Sequence, residues 1–139
     1  MPAVSRALTP PLLFIYGTLL PGLALHKAMQ GARCIGEATV PGRLFDLGPY
    51  PALVPGPGRV AGLLYAVSEA QLARLDALEE YDPTNPEGSL YLRQRLPAAL
   101  AHGRGVCEAF VYVYNRAVDA ATPVPHGDYR RHLRERGAV

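Results

Sequence analysis

Apolar residues change their spacing several times along this chain, and each change marks an element. "LLFIYG", Leu12 to Gly17, is an unbroken apolar run closed by glycine, the pattern of a buried strand entering a tight turn. "LALHKAMQG", Leu23 to Gly31, predicts a short helix with Gly31 as its C-cap. Strands follow around Cys34 to Val40 and Arg43 to Leu47, split by Pro41-Gly42. Asp46 to Arg59 is so dense in proline and glycine that it reads as an irregular, fairly rigid loop. Val60 to Val67 predicts a strand that runs straight into a helix beginning at Ser68, where Ser68 and Gln71 form a capping-box signature. Two more strands are expected at Tyr91 to Leu96 and Val106 to Tyr114. In the second, Phe110, Tyr112 and Tyr114 alternate with Ala109, Val111 and Val113, one set for each face. Asp128 is placed to cap a final helix.

About six strands with few helices, in no regular alternation, argue against a doubly wound parallel sheet. The pattern predicts an α+β fold: a small mixed, largely antiparallel β-barrel, closed or nearly so, with a few flanking helices. Residues 1–11 read as a disordered lead-in and 12–139 as a single domain without internal repeats.

The helix after Ser68 carries the first candidate for chemistry. Leu72, Leu75 and Leu78 recur at helical spacing and define its apolar stripe. At about 100° per residue, Glu79 returns almost on top of Leu72 and one turn beyond Leu75. Glu80 instead falls in line with Asp76, Ala73 and Glu69, the polar side. A glutamate on a leucine face is either a helix end reaching water or a carboxylate held in an apolar pocket for proton chemistry. In the second case desolvation and the negative helix end both raise its pKa towards the range a general acid or base needs.

Composition narrows the class. With 139 residues, 49% hydrophobic and 19% charged, the chain can build one real core. A net charge of +2 gives no case for nucleic acid, and the basic run Tyr129 to Arg136 reads as a solvated helix face. No apolar run approaches a membrane span, and the N-terminus lacks the apolar region of a signal peptide. Cys34 and Cys107 have no metal-type spacing, which suits a reducing cytoplasm, and both read as small buried hydrophobes. His26, His102, His126 and His132 lie at no ligand spacing. Ser89 lacks a nucleophile elbow, and the acidic loop with Asp82, Asn85 and Glu87 departs from the calcium-loop pattern.

"YGTLLPG", Tyr16 to Gly22, is the second candidate. A strand ending in glycine leaves several backbone N–H groups without ladder partners and lets another group approach closely. Such amides form an anion-binding nest suited to a carboxylate or phosphate, or simply an ordinary strand-to-loop turn. No G-K-[ST] follows, so it is not a Walker loop.

"FIYGTLLPG", "YPALVPG", "GLLYAVSEAQLARLDALEEYDP" and "YLRQR", in this order, resemble the γ-glutamylcyclotransferase-like proteins, in particular the group of γ-glutamylamine cyclotransferases and AIG2-like proteins. The resemblance covers most of the chain, from about Leu12 to Tyr114. It implies a small mixed barrel with flanking helices. It implies an enzyme that cyclises a γ-glutamyl amide or amine to 5-oxoproline and expels the amine, with no cofactor and no metal. The family's catalytic glutamate, at the end of L-D-x-x-E, falls on Glu79, the residue that the helical wheel also singles out. The family's substrate loop falls on Tyr16, Gly17, Thr18, Leu19 and Leu20; Tyr91 and Arg93, on one face of the following strand, are placed to line the pocket. Where the family often has glycine after the glutamate, this chain has Glu80. The implied partner is a small γ-glutamyl molecule, not nucleic acid or membrane. A non-catalytic module binding a small carboxylate on the same barrel is the competing expectation. A barrel that binds single-stranded nucleic acid through its tyrosines is a weaker one. The leaving amine and the oligomeric state are not encoded in any motif.

Overall fold

The computed structural model describes residues 10–137. The expected lead-in falls outside them through residue 9. By Pro11 the chain is already fixed, its carbonyl accepting the Val67 N–H at 3.0 Å. Five strands close on themselves. They are β1 (Leu12–Ile15), β2 (Arg33–Asp46), β3 (Pro51–Ala66), β4 (Tyr91–Leu100) and β5 (Val106–Tyr114). Around the barrel they run β3-β1-β5-β4-β2 and return to β3, with the short β6 (Thr122–Pro123) added to β2. Only β1 and β5 pair in parallel, so the barrel is mixed and largely antiparallel, as the pattern predicts. The helices are α1 (Glu69–Leu78) and α2 (Tyr129–Glu135).

Alternation along the strands creates two cores. In β1, Phe14 packs with Val40, Val60, Leu64 and Val111 inside the barrel. Leu13 and Ile15 point the other way and meet Leu72 and Leu75 of α1. The β5 set divides as expected: Val111 and Val113 go to the barrel interior and Tyr112 to the α1 layer.

Several expectations are corrected. Cys34–Val40 and Arg43–Leu47 are one strand, β2, with a register shift at Pro41/Arg43 rather than a break. The supposed loop Asp46 to Arg59 is mostly the start of β3, pairing Asp46 with Pro51 and Arg43 with Val54. The ladder resumes at Pro41 and Arg59, so residues 55–58, the "PGPG" sequence, bulge out opposite Gly42. Proline fits the sheet here because Pro51 opens the strand and Pro55 and Pro57 sit in the bulge. Leu23 to Gly31 forms turns and a 3-10 segment, His26–Met29, because its amides bond carbonyls three residues back. Cys34 is exposed and Cys107 half-buried, not core residues.

The basic run of α2 is not merely a solvated face. Asp128 caps the helix through the Arg131 N–H at 3.2 Å, as expected. His132 Nε2 lies 2.7 Å from Asp46 Oδ2, and Arg136 bonds the same oxygen. The Gly48 N–H donates to Asp46 Oδ1 at 2.7 Å, so one buried carboxylate ties α2 to the β2–β3 turn. Burial opposes the charge of Asp46, but these donors outweigh it and hold its pKa below the ordinary carboxylate range. A depressed folded pKa contributes stability that is complete above the unfolded value of about 3.9 and disappears as pH falls through the lower folded value. Asp46→Asn should therefore lose about 2 kcal/mol at neutral pH. In urea titrations across pH 2–7 its deficit relative to wild type should shrink towards acid; a pH-independent gap would count against the clamp.

Candidate active site

A cavity of about 290 Å³ opens where the end of β1, the β2–β3 turn and the end of α1 converge, at the small end of the range for small-molecule sites. Its wall includes Tyr16, Gly17, Thr18 and Leu19 from one side and Leu78, Glu79 and Glu80 from the other, with Tyr50, Pro51, Tyr91 and Tyr112 between them. The two sequence candidates, far apart in the chain, thus face one space. Leu20 does not line it: this residue is buried, and its N–H closes the turn onto the Gly17 carbonyl at 3.0 Å.

The loop is shaped by specific contacts. A Cβ on Gly17 would come within 2.7 Å of the Pro51 ring, so glycine is what allows the loop to lie against the β2–β3 turn. The amides of Gly17, Thr18 and Leu19 have no hydrogen-bond partner among the described residues, and all three residues line the cavity. The Leu25 N–H bonds the Thr18 carbonyl at 2.8 Å, and His26 Nδ1 donates to the Leu19 carbonyl at 2.8 Å. Carbonyl groups can only accept, so the proton sits on Nδ1.

The α1 wall is set by how the helix starts and stops. Ser68 Oγ accepts the Gln71 N–H at 3.0 Å, half of a capping box. The Gln71 side chain does not return to the cap; it is buried and donates to the Ala28 and Gln30 carbonyls, each at 3.1 Å. At the other end the Glu80 N–H bonds the Ala77 carbonyl at 3.2 Å and the Tyr81 N–H bonds the Asp76 carbonyl at 2.8 Å. This is a Schellman closure, and it requires a left-handed residue at Glu80, whose φ is 55°. Glycine would take that position without the roughly 1–2 kcal/mol strain of a side chain.

Two assignments on the helix change. Leu78 is 42% exposed and forms part of the cavity lip instead of the core. Asp76, expected on the solvated side with Glu80, is buried. It accepts the Tyr112 hydroxyl at 2.8 Å and lies 3.4 Å from Arg93 Nε. Arg93 stacks over Phe110 at 4.6 Å and does not line the cavity, whereas Tyr91 on the same strand face does. Tyr112 also receives, at its backbone carbonyl, the Tyr16 hydroxyl at 2.5 Å. Tyr91 donates its own hydroxyl to the Pro51 carbonyl at 2.7 Å.

Glu79 is half-buried and Glu80 exposed. No protein donor reaches the Glu79 carboxylate among the described residues. Burial, and then the neighbouring Glu80 charge, raise its pKa from 4.5 to about 7. Burial and the charge of Glu79 also raise the pKa of Tyr16, against the lowering effect of the Leu53 N–H, so that phenol stays protonated. The wall can therefore exchange one proton near neutrality, and three of its residues carry amides without a hydrogen-bond partner among the described residues. No cluster of three or more His, Cys, Asp or Glu side chains able to hold a metal occurs among the described residues. No helix among them is long and apolar enough to cross a membrane.

Comparisons with known proteins bear on the family and the fold. Residues 13–131 match the family described as gamma-glutamyl cyclotransferase, AIG2-like. The chain is 33% identical over 118 residues to the gamma-glutamylcyclotransferase family protein YtfP of Escherichia coli K12, covering 84% of this chain and 94% of that one. It is 40% identical over 122 residues to the gamma-L-glutamyl-butirosin B gamma-glutamyl cyclotransferase of Niallia circulans, covering 81% and 77%. The crystal structure of an AIG2-like protein from Mus musculus superposes with a TM-score of 0.72 at 26% identity, over 87% of this chain and 88% of that one.

Carbon-detected NMR should find the Glu79 carboxylate titrating at about 7, and at lower pH in Glu80→Gln. The raised folded pKa means that ionising Glu79 opposes folding from about pH 4.5 up to about 7, with the full penalty above that. Glu79→Gln should accordingly be more stable than wild type at pH 8, by up to about 3 kcal/mol. Equal stabilities there, with an ordinary Glu79 titration, would refute the buried setting.

Proposed function

The chain belongs to the AIG2-like γ-glutamyl cyclotransferase family and is an enzyme of that type, and from this we propose that it converts a γ-glutamyl amide to 5-oxoproline and a free amine, with Glu79 as the proton carrier. The observation that carries the proposal is the shared cavity: among the described residues, the carboxylates on its wall are Glu79 and Glu80, and the same wall includes Gly17, Thr18 and Leu19, whose amides have no hydrogen-bond partner there.

The chemistry asks little covalent help of a protein. The substrate's α-amine attacks its own side-chain carbonyl carbon, a C–N bond forms to close a five-membered lactam, and the original amide C–N bond breaks. Nucleophile and electrophile already share one molecule, so the enzyme's main task is to hold them in attack geometry. The loop amides bind the α-carboxylate, and one of them faces the oxygen that becomes negative in the tetrahedral intermediate. The α-ammonium must lose a proton before it can attack. Ionised Glu79 accepts that proton and returns it to the departing nitrogen. The nitrogen that has attacked gives up a second proton as the lactam forms, and the freed amine takes it up as its ammonium. No water is consumed, and the carboxylate is restored. A carboxylate of pKa about 7 suits both transfers, because neither protonation state is far out of reach at neutral pH. The Tyr91 and Tyr16 hydroxyls, already engaged with Pro51 and Tyr112, stiffen the wall.

The Niallia circulans relative acts, by its name, on the γ-glutamyl group of γ-L-glutamyl-butirosin B, which supports the same head group here.

The test is 5-oxoproline release from a set of γ-glutamyl amides by wild type and Glu79→Gln. The variant should fold, bind with little change in KM, and lose at least about 10²-fold in kcat. The wild-type rate should rise with pH through about 7. Full activity in Glu79→Gln would refute the role of Glu79. Thermal stabilisation by every compound with no product from any would favour a binding module instead.

A further inference from the structure

A loop that presents free N–H groups must send its carbonyls elsewhere, because in a trans peptide the C=O and the following N–H point in opposite directions. The carbonyls of Gly17, Thr18 and Leu19 are all taken up by protein donors. Gly17 accepts the Leu20 N–H at 3.0 Å, Thr18 the Leu25 N–H at 2.8 Å, and Leu19 the Nδ1–H of His26 at 2.8 Å. Two of these donors are backbone amides. The third is a side chain, half-buried, from a residue that does not line the cavity.

The effect of that one bond passes along the loop. Leu19 C=O and Leu20 N–H belong to one peptide, so pinning the carbonyl fixes the direction of the N–H, which in turn holds the Gly17 carbonyl. Gly17 C=O and Thr18 N–H are likewise one peptide, and the Thr18 amide is one of the three without a partner. Burial of the Leu19 and Leu20 side chains cannot replace the bond: it holds the two Cα atoms, while the peptide plane between them can still rotate. Rotated, that peptide would release the Gly17 carbonyl, and a carbonyl oxygen turned into the cavity repels a carboxylate.

The position of His26 is referred to the other wall. It opens the 3-10 segment His26–Met29, whose Met29 side chain is buried with Leu72 and Leu75 of α1. The buried Gln71 of α1 donates to the Ala28 and Gln30 carbonyls of the same stretch, each at 3.1 Å. The donor to Leu19 is thereby placed relative to the helix that Glu79 caps.

We propose that His26 is a positioning residue of the site: through the Leu19 carbonyl it keeps the loop peptides turned so that their free N–H groups can hold the α-carboxylate of the substrate. The inference rests on the γ-glutamyl reading above. His26 acts through the loop and not on the substrate.

Two substitutions separate the donor from the ring. His26→Phe keeps a ring and loses the donor; His26→Asn loses the ring and keeps an amide N–H at about the reach of Nδ1. Release of 5-oxoproline from the γ-glutamyl amide of methylamine is measured for both. In His26→Phe, kcat/KM should fall about tenfold, the scale of one oriented hydrogen bond, while the Glu79 carboxylate still titrates at about 7. His26→Asn should stay within about threefold of wild type. A ring that merely fills space gives the reverse order. That order, equal losses in the two variants, or no loss in His26→Phe would overturn the positioning role and leave the cyclisation reading intact. His26→Leu takes the place of His26→Phe, with the same expectation, if the latter does not fold. If wild type releases no 5-oxoproline, the cyclisation reading fails, and binding decides instead. The amide NMR signals of Gly17, Thr18 and Leu19 are then followed on adding 5-oxoproline or 2-pyrrolidinone, its analogue without the carboxylate. Weaker 5-oxoproline binding in His26→Phe, restored in His26→Asn and unmatched by any change for 2-pyrrolidinone, sustains the role of His26; any other result overturns it.

Discussion

A strand of only four residues closes this barrel, and the demands on it shape the rest of the molecule. β1 pairs with β3 on one edge and β5 on the other, while its two faces meet the barrel interior and the α1 layer. Leu13, Phe14 and Ile15 are accordingly almost inaccessible to water, at 0%, 1% and 2%. A strand enclosed on four sides has no polar position to spare, which is why the sequence shows a solid apolar run and not an alternation. Its neighbour must yield as well. A Cβ on Gly62 would lie 2.1 Å from the Ile15 carbonyl oxygen, so β3 can pass only with glycine there. Because the strand ends while still enclosed, the chain must turn at once, and that turn is the amide-bearing side of the cavity.

The other side of the cavity is fixed to the first through Tyr112. Its carbonyl receives the Tyr16 hydroxyl from the loop side, and its own hydroxyl donates to Asp76 on α1. Asp76 precedes Glu79 by one helical turn, so the tyrosine sets where the end of α1 stands relative to the loop. Arg93 balances the Asp76 charge and is itself sandwiched against Phe110. None of these groups needs to meet a substrate for the spacing of the walls to depend on them.

Most of this architecture was legible in the sequence where the physics is local. Alternation divided β5 correctly between two faces, and the Ser68 and Asp128 caps stand where their side chains suggested. The helical wheel separated a half-buried Glu79 from an exposed Glu80. It misjudged Asp76, because a wheel has no knowledge of the strand opposite. The hydroxyl that makes burial of that carboxylate tolerable comes from Tyr112, 36 residues away in sequence. Gln71 is hidden for the same reason, its acceptors lying more than 40 residues back at Ala28 and Gln30. Leu78 had the opposite fate: the apolar stripe continues past the point where α1 still has something to cover. The proline- and glycine-rich stretch misled because those residues deny a regular ladder only where they occupy it. Here most of them are shunted into the bulge opposite Gly42.

The half-buried setting of Glu79 also makes the site a proton donor to its surroundings at the moment of occupation. With its pKa raised to about 7, Glu79 exchanges its proton near neutral pH. A cation settling beside it favours the ionised form and lowers that pKa. Reciprocity then requires that binding such a cation expel a proton into solvent. Under the proposed reaction, occupation by a cation thus turns Glu79 from an acid into the base that the first proton transfer needs, and the heat of binding carries the ionisation enthalpy of whatever buffer receives the proton.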